Sequence, residues 1–151
     1  MKKLVLFTVL SGWAILSSAQ ISDPVKWTYT ATKVADKTYD IQATAILEAK
    51  WHIYAQNAGE GPESTSMTLL KNPLVKPAGK VKEVGKLETA YDPNFNSTLR
   101  FYENKVSFVQ RVKTKSNAAT VVKGNMYYMV CNDKKCLPPK EIPFFVNLNG
   151  K

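Results

Sequence analysis

The chain has 151 residues, 44% of them hydrophobic, and its 21 lysine and arginine residues against 12 aspartate and glutamate residues give a formal net charge of +9. This length suits one domain with a hydrophobic core. The basic residues are scattered along the sequence in runs no longer than two, such as Lys134-Lys135, so the sequence gives no sign of the clustered cations and interleaved aromatic residues of a nucleic-acid interface. We expect a basic, solvated surface, with an acidic partner or a membrane surface as the alternative.

Residues 1–19 have the pattern of a secretory signal peptide. Two lysine residues precede an apolar stretch at residues 4–16, and small residues at 17–19 allow a cut before Gln20. The stretch is too short to cross a bilayer, and no later segment approaches the roughly 20 apolar residues of a spanning helix. We therefore expect residues 20–151 to form one exported, periplasmic domain, soluble after removal of the signal peptide, in which a disulfide can persist.

Beyond the signal peptide, apolar and polar residues alternate with period two, which predicts strands. In chain order, the predicted strands cover residues 25–30, 39–48, 51–55, 67–70, 106–112, 120–131 and 142–148. The predicted connections are a turn-rich loop at 57–62, a proline-containing segment at 72–80, an irregular stretch at 88–97 and a turn at 116–117. Pro143 lacks an N–H and favours an edge position for the last strand. About eight short strands indicate an all-β antiparallel β-sandwich.

The two cysteine residues, Cys131 and Cys136, lie on either side of a predicted four-residue turn. Facing hairpin positions bring Cα atoms to about 4.5–5.5 Å, which suits a disulfide. By the chain-entropy model, so short a ring stabilises the fold by only roughly 2 kcal/mol. A redox role therefore competes with a purely structural one.

Three interpretations of the cysteine pair stay open on the residues alone: a redox-active pair, a structural clip and a metal site. Lys134 and Lys135 in the turn favour the reactive thiolate, although the neighbouring Asp133 opposes them. Pro138 and Pro139 keep the following segment irregular, which leaves a sulfur accessible. A zinc site would need four ligands, and the chain has a single histidine.

The segment around the cysteines resembles the N-terminal periplasmic domain of the thiol:disulfide interchange protein DsbD. The similarity rests on Tyr127-Tyr128-Met129-Val130-Cys131 followed, after four residues, by Cys136-Leu137-Pro138-Pro139, with support from residues 51–54 and 100–105. It implies an immunoglobulin-like sandwich whose cysteine pair takes electrons from a membrane-embedded partner. The pair passes them by disulfide exchange to thioredoxin-like envelope oxidoreductases, without a bound cofactor.

The resemblance also implies roles for individual residues. Cys131 and Cys136 match the exchanging pair, and we expect Cys136 to attack or be attacked first. Phe95 falls where the family has an aromatic residue that caps the disulfide. His52 and Tyr54 match positions that border the disulfide, where the family has hydroxyl-bearing aromatic residues. His52 is thus a departure, which can tune the pair or relay a proton.

Acidic residues near the predicted cap depart from the family pattern as well. Two acidic positions before the capping aromatic hold Pro93 and Asn94 here, so Asp92 and Glu88 are the carboxylates that remain nearby. The alternatives for Phe95 and His52 are a loop side chain at the edge of the core and a hydrogen-bonded structural histidine.

Two functions follow from the sequence. The leading hypothesis is a periplasmic oxidoreductase module of the protein-disulfide reductase type, working through a reversible Cys131–Cys136 disulfide. The alternative is a non-enzymatic β-sandwich interaction module with a structural disulfide. Family proteins continue into transmembrane helices and a thioredoxin-like domain, whereas this sequence ends at Lys151, so we expect a separate electron donor. We expect a monomer without metal or cofactor.

Overall fold

Ten strands make up the part of the chain that the structure, a computed structural model, describes, which is residues 23–148. The predicted signal peptide lies outside these residues. The strands are β1 (Val25–Ala35), β2 (Thr38–Leu47), β3 (His52–Tyr54), β4 (Ser66–Leu69), β5 (Val75–Pro77), β6 (Lys82–Asp92), β7 (Ser97–Thr114), β8 (Thr120–Tyr128), β9 (Val130–Cys131) and β10 (Lys140–Leu148). No helix within these residues is long and apolar enough to cross a membrane.

The strands form two antiparallel sheets. The larger sheet has the order β1-β2-β7-β3-β9, and β5 and β6 also pair with the long strand β7. The smaller sheet has the order β10-β8-β4. Strand β10 pairs with β8 alone among the described strands, which confirms the edge position that Pro143 predicts.

The main hydrophobic core lies between the two sheets. Alternate residues of β2, β7, β8 and β10 fill it, and the fully buried members include Ile41, Phe108, Val122 and Met126. Aromatic rings close one side of it: the rings of Tyr29 and Phe144 stack with their centroids 4.8 Å apart. Burying each large apolar side chain stabilises the fold by roughly 1.5–3 kcal/mol.

A second, smaller hydrophobic cluster lies on the outer face of the larger sheet. Because successive side chains of a strand point to opposite faces, Ile53 enters the main core, while its neighbours His52 and Tyr54 point outward. In the same way Val130 points inward and Cys131 outward. The fully buried members of this outer cluster are Tyr54, Ala58, Leu99 and Cys131, and Phe95, Phe101, Met129 and Cys136 pack against them.

The prediction of an irregular stretch at residues 88–97 is wrong for most of its length. Strand β6 continues to Asp92 and β7 begins at Ser97, which leaves only residues 93–96 as a turn. Strand β6 is largely exposed and so lacks the apolar alternation that marks a strand in the sequence. Its pairing with β7, which the sequence pattern does not show, holds it extended.

Two other strand predictions need correction. The single strand predicted over residues 120–131 is two strands: β8 belongs to the smaller sheet, and after Met129 the chain crosses to the larger sheet as β9. The connection predicted at 72–80 contains the short strand β5, which pairs with the end of β7. The chain therefore has ten strands where about eight were expected.

Candidate functional site

The two cysteine residues form a disulfide at the end of β9. Their sulfur atoms are 2.02 Å apart and their Cα atoms 4.0 Å apart, closer than the expected 4.5–5.5 Å. Backbone hydrogen bonds from Asn132 N–H to Lys135 O and from Leu137 N–H to Val130 O, each 2.9 Å, close the turn. Cys131 is completely buried, whereas Cys136 is partly exposed. An incoming sulfur would therefore meet Cys136 first.

The turn between the cysteines is shaped by one side chain. Asn132 Oδ1 accepts hydrogen bonds from the backbone N–H groups of Lys134 and Lys135, both at 2.9 Å. Asparagine favours turns because its side chain can bond the backbone of following residues in this way. Both lysine residues of the turn are exposed, so they place positive charge beside the disulfide.

Strand β3 lies beside the disulfide because it pairs with β9 on one side and with β7 on the other. His52 is the direct cross-strand partner of Cys131. In antiparallel pairs such side chains share one face, with Cβ atoms about 4.5–5.5 Å apart. Tyr54, two residues further along, points to the same face and belongs to the cluster that encloses Cys131.

A chain of hydrogen bonds joins three of the predicted site residues. The Tyr54 hydroxyl donates to Asp92 Oδ2 at 2.6 Å. Because that proton is committed to Asp92, the Tyr54 oxygen is left to accept from His52 Nε2–H, at 3.3 Å. His52 Nε2 also lies 3.5 Å from Asp92 Oδ2. This arrangement assigns the proton of a neutral imidazole to Nε2 and leaves Nδ1 as an acceptor.

The local environment shifts the pKa of each member of this chain. Burial lowers the pKa of His52, and the nearby charges of Asp92 and Glu103 only partly oppose it, so the ring is neutral at neutral pH. Burial also raises the pKa of Tyr54, together with its bond to Asp92. Burial alone would raise the pKa of Asp92, but hydrogen bonds from Tyr54 and Asn94 outweigh it and keep the carboxylate ionised.

Phe95 lies at the tip of the turn between β6 and β7 and packs against the outer cluster. Its ring meets that of Tyr54 edge to face, with centroids 5.9 Å apart. On its other side lies Gly61, whose φ of +111° favours glycine. A Cβ added there would lie 2.7 Å from Phe95 Cδ1, so the absence of a side chain at Gly61 makes room for the ring.

Asn94 ties this turn to the cysteine turn. Its backbone N–H and its side-chain amide donate to Asp92 Oδ1 at 2.8 and 3.0 Å. The same amide reaches the carbonyl oxygen of Asn132 at 3.4 Å. Asn94 thus bridges the two turns, a contact that the sequence did not predict.

The sequence did not predict two further residues of the site. Leu99 is completely buried in the outer cluster, and Phe101, the cross-strand partner of Tyr54, lies with its ring centroid 4.6 Å from that of His52. Both point outward from β7, and only the pairing of β7 with β3 brings them to the site. Glu88, by contrast, pairs with Lys86 at 2.5 Å and does not join the His52–Tyr54–Asp92 chain.

The structure therefore brings all six predicted site residues into one region: Cys131, Cys136, Phe95, Tyr54, His52 and Asp92. Within residues 23–148, no group of three or more histidine, cysteine, aspartate or glutamate side chains is arranged to hold a metal ion. What the region offers chemically is a disulfide with one partly exposed cysteine, beside a neutral imidazole and a buried carboxylate.

Solved structures of bacterial proteins align with most of the chain. The chain is similar to the N-terminal periplasmic domain of ScsB from Proteus mirabilis, with a TM-score of 0.55 and 15% identity over 83% of this chain, and it spans 45% of that chain. The N-terminal domain of Neisseria meningitidis DsbD in the reduced form aligns with a TM-score of 0.43 and 15% identity, over 82% of this chain and 86% of that chain. A collagen adhesin from S. aureus gives 0.37 and 9%, over 84% and 49%.

No curated protein matches the sequence. The family described as "Thiol:disulfide interchange protein DsbD, N-terminal" matches residues 22–147, which is most of the chain. This match and the ScsB fold confirm the predicted fold class, an all-β immunoglobulin-like antiparallel sandwich. With its Cys131–Cys136 disulfide, the chain belongs to the family of DsbD N-terminal domains.

Proposed function

We propose that residues 20–151 form an exported domain that relays reducing equivalents through a reversible Cys131–Cys136 disulfide. The donor is a membrane-bound or thioredoxin-like protein, and the acceptors are thioredoxin-like oxidoreductases of the envelope. The observation that carries the proposal is the asymmetry of the pair: a partly exposed Cys136 is bonded to a completely buried Cys131, outside the main core.

Exchange would run through a mixed disulfide. In the reduced domain, the Cys136 thiolate attacks a disulfide of the acceptor, and the displaced acceptor sulfur takes up a proton. The Cys131 thiolate then attacks the sulfur of Cys136, which re-forms the internal disulfide and releases the second acceptor thiol. Two electrons and two protons pass to the acceptor, so no cofactor is required.

His52 would accept the proton of the buried Cys131. Cys131 must lose its proton before it can attack, and its complete burial in the oxidised domain favours a proton acceptor within the protein. The neutral imidazole across the strand pair has a free Nδ1 that can take this proton. The carboxylate of Asp92, 3.5 Å from Nε2, would stabilise the imidazolium that forms.

Phe95 would act as a cap on the disulfide. Its ring packs on the cluster that contains Cys131 and Tyr54, and the turn that carries it spans only residues 93–96. A partner that displaces this turn gains access to the sulfurs, while small thiols are kept away from them. Asn94, which bonds the cysteine turn, would hold the cap in place.

The alternative function, an interaction module with a structural disulfide, is favoured by the complete burial of Cys131. The reduction potential of the pair separates the two functions. Equilibration with glutathione or dithiothreitol redox buffers is expected to give a potential above about −300 mV, whereas a structural disulfide lies below that value. We further expect the circular-dichroism spectrum of the reduced domain to match that of the oxidised domain.

Trapping of partners tests the relay itself. Cys131→Ser leaves the exposed Cys136 free and is expected to accumulate mixed disulfides in envelope extracts, resolved by non-reducing electrophoresis. Cys136→Ser leaves only the buried cysteine and should accumulate few, and the double serine variant is the control. Absence of adducts with either single variant would contradict the proposed function.

A further inference from the structure

All of the net positive charge of the described residues lies at the end of the sandwich opposite the disulfide. Three segments form this basic end: residues 33–40, 71–82 and 111–123. Two aspartate residues, Asp36 and Asp40, lie among its ten cations, which are Lys33, Lys37, Lys71, Lys76, Lys80, Lys82, Arg111, Lys113, Lys115 and Lys123. The rest of residues 23–148 has eight cations and ten carboxylates. The basic end therefore has a formal charge of +8, and the remainder −2.

Backbone hydrogen bonds make the three segments one continuous surface. Thr114 N–H donates to Lys37 O, and Lys115 N–H donates to Leu74 O, both at 2.9 Å. Leu70 N–H donates to Lys123 O at 2.8 Å. Lys113 lies ten residues along β7 from Glu103, which pairs with His52, so Lys113 is about 30 Å from the strand position beside the disulfide.

The cations of the basic end are exposed and largely without intramolecular partners. Among the described ion pairs, Arg111 with Asp40 is the one at this end. Lys76 and Lys113 are direct cross-strand partners, so two like charges face each other on neighbouring strands. Such pairs destabilise a sheet. An external anion would relieve this repulsion.

Exposed apolar side chains are interspersed with these lysines. Val34, Leu70 and Val121 are 45%, 50% and 41% exposed, and each lies within two residues of a lysine of the basic end. Leu70 and Val121 also line a groove beside Pro73. Lysine together with exposed aliphatic side chains suits the boundary of a lipid bilayer, where headgroups meet acyl chains.

We propose that the basic end binds a membrane surface rich in anionic phospholipid headgroups. The composition favours lipid over an acidic protein: protein interfaces are enriched in arginine and depleted of lysine, and the single arginine here is occupied by Asp40. A headgroup layer requires no fixed geometry of its cations, and mobile lysine side chains suit it. This inference goes beyond the exchange function and does not depend on the cysteines.

Co-sedimentation with vesicles tests the proposal. The protein, purified from the envelope of expressing cells, is mixed with vesicles of phosphatidylcholine alone or of phosphatidylcholine with phosphatidylglycerol. We expect binding to the anionic vesicles, and its loss in high salt, because the attraction is screened. A lysine near an anionic surface contributes roughly fivefold to partitioning, so Lys37→Glu/Lys113→Glu/Lys115→Glu should weaken binding by at least about 100-fold.

The matched control reverses three exposed lysines outside the basic end: Lys26→Glu/Lys86→Glu/Lys105→Glu. It changes the net charge by the same amount and should retain most of the binding. Equal losses in the two triple variants would overturn the proposal, because binding would then follow net charge alone. Capture by polyglutamate without binding to anionic vesicles would overturn it in favour of an acidic protein. A neutralising variant, Lys37→Gln/Lys113→Gln/Lys115→Gln, repeats the test without new carboxylates.

Discussion

The hydroxyl of Tyr54 donates a 2.6 Å hydrogen bond to the carboxylate of Asp92, and this bond joins strand β3 to the end of β6. Both groups are buried. The bond therefore fixes the base of the turn that carries Phe95.

Removing this hydroxyl should destabilise the fold. In Tyr54→Phe the buried carboxylate of Asp92 loses its shortest hydrogen bond, and we expect the free energy of unfolding to fall by about 1–3 kcal/mol. Urea denaturation of the oxidised protein measures it. Tyr91→Phe is the control, because the exposed Tyr91 hydroxyl bonds Asn96 on the surface, and its loss should change stability by less than about 0.5 kcal/mol.

Titration of His52 should make the free energy of unfolding depend on pH. The pKa of His52 is lower in the folded protein than in the unfolded chain, where it is about 6.5. Below that value the unfolded chain binds a proton that the folded state does not. Stability should therefore fall with decreasing pH, by up to about 1.4 kcal/mol per pH unit, until the folded-state pKa is reached.

His52→Gln isolates this effect, because glutamine keeps a donor for Tyr54 but does not titrate. We expect its free energy of unfolding to stay nearly constant from neutral pH down to about pH 5, where carboxylates begin to titrate. The lowered pKa values of Asp92, Asp23 and Asp40 act in a lower pH range, below their ordinary value of 3.8. An equally steep decline in the variant would mean that His52 is not the responsible group.

Shortening the side chain of Phe95 should expose the disulfide. In Phe95→Ala we expect small thiols such as dithiothreitol to reduce the pair at least about tenfold faster, because the rate of exchange depends on access to the sulfur. Stopped-flow reduction kinetics measure this rate. Phe145→Ala, which shortens a phenylalanine that is 70% exposed on β10, is the matched control and should leave the rate unchanged.

A pair of glycine substitutions tests the support behind the cap. Gly61 and Gly79 both have positive φ angles, +111° and +84°, so alanine at either position costs about 1 kcal/mol in backbone strain. A Cβ at Gly61 would also collide with Phe95, whereas one at Gly79 has no neighbour within 4 Å. Gly61→Ala should thus destabilise the fold more than Gly79→Ala and should accelerate reduction of the disulfide. Identical reduction rates would show that Gly61 does not position Phe95.

The fold class and the residues of the site could both be predicted from the sequence, but from different features of it. Apolar residues at every second position, such as Ile41, Ala43 and Ala45, mark strands with one buried face, and the sequence predicted such strands. The sequence did not predict strand β6, because its side chains are largely exposed and its extended conformation depends on pairing with β7. The sequence pattern did not show the break at Met129, because the inward residues Met126 and Tyr128 of β8 continue with the same period of two to Val130 of β9.

The resemblance predicted the site residues, whereas only the structure shows the contacts between them. Sequence gives no measure of the 2.6 Å bond between Tyr54 and Asp92, or of the contact between Gly61 and Phe95, because these residues lie more than 30 positions apart. Asn94 was noted as a departure from the family pattern. Its link to Asn132 could be seen only once the two turns were placed beside each other.

The larger sheet separates the two hydrophobic clusters with a single layer of hydrogen-bonded backbone. Inward residues such as Ile53 and Val130 determine how the sandwich packs, and outward residues such as His52 and Cys131 belong to the other side. A substitution at an outward position can consequently alter sulfur reactivity without repacking the interior. Packing of the main core and the surroundings of the disulfide are in this way assigned to alternate residues of the same strands.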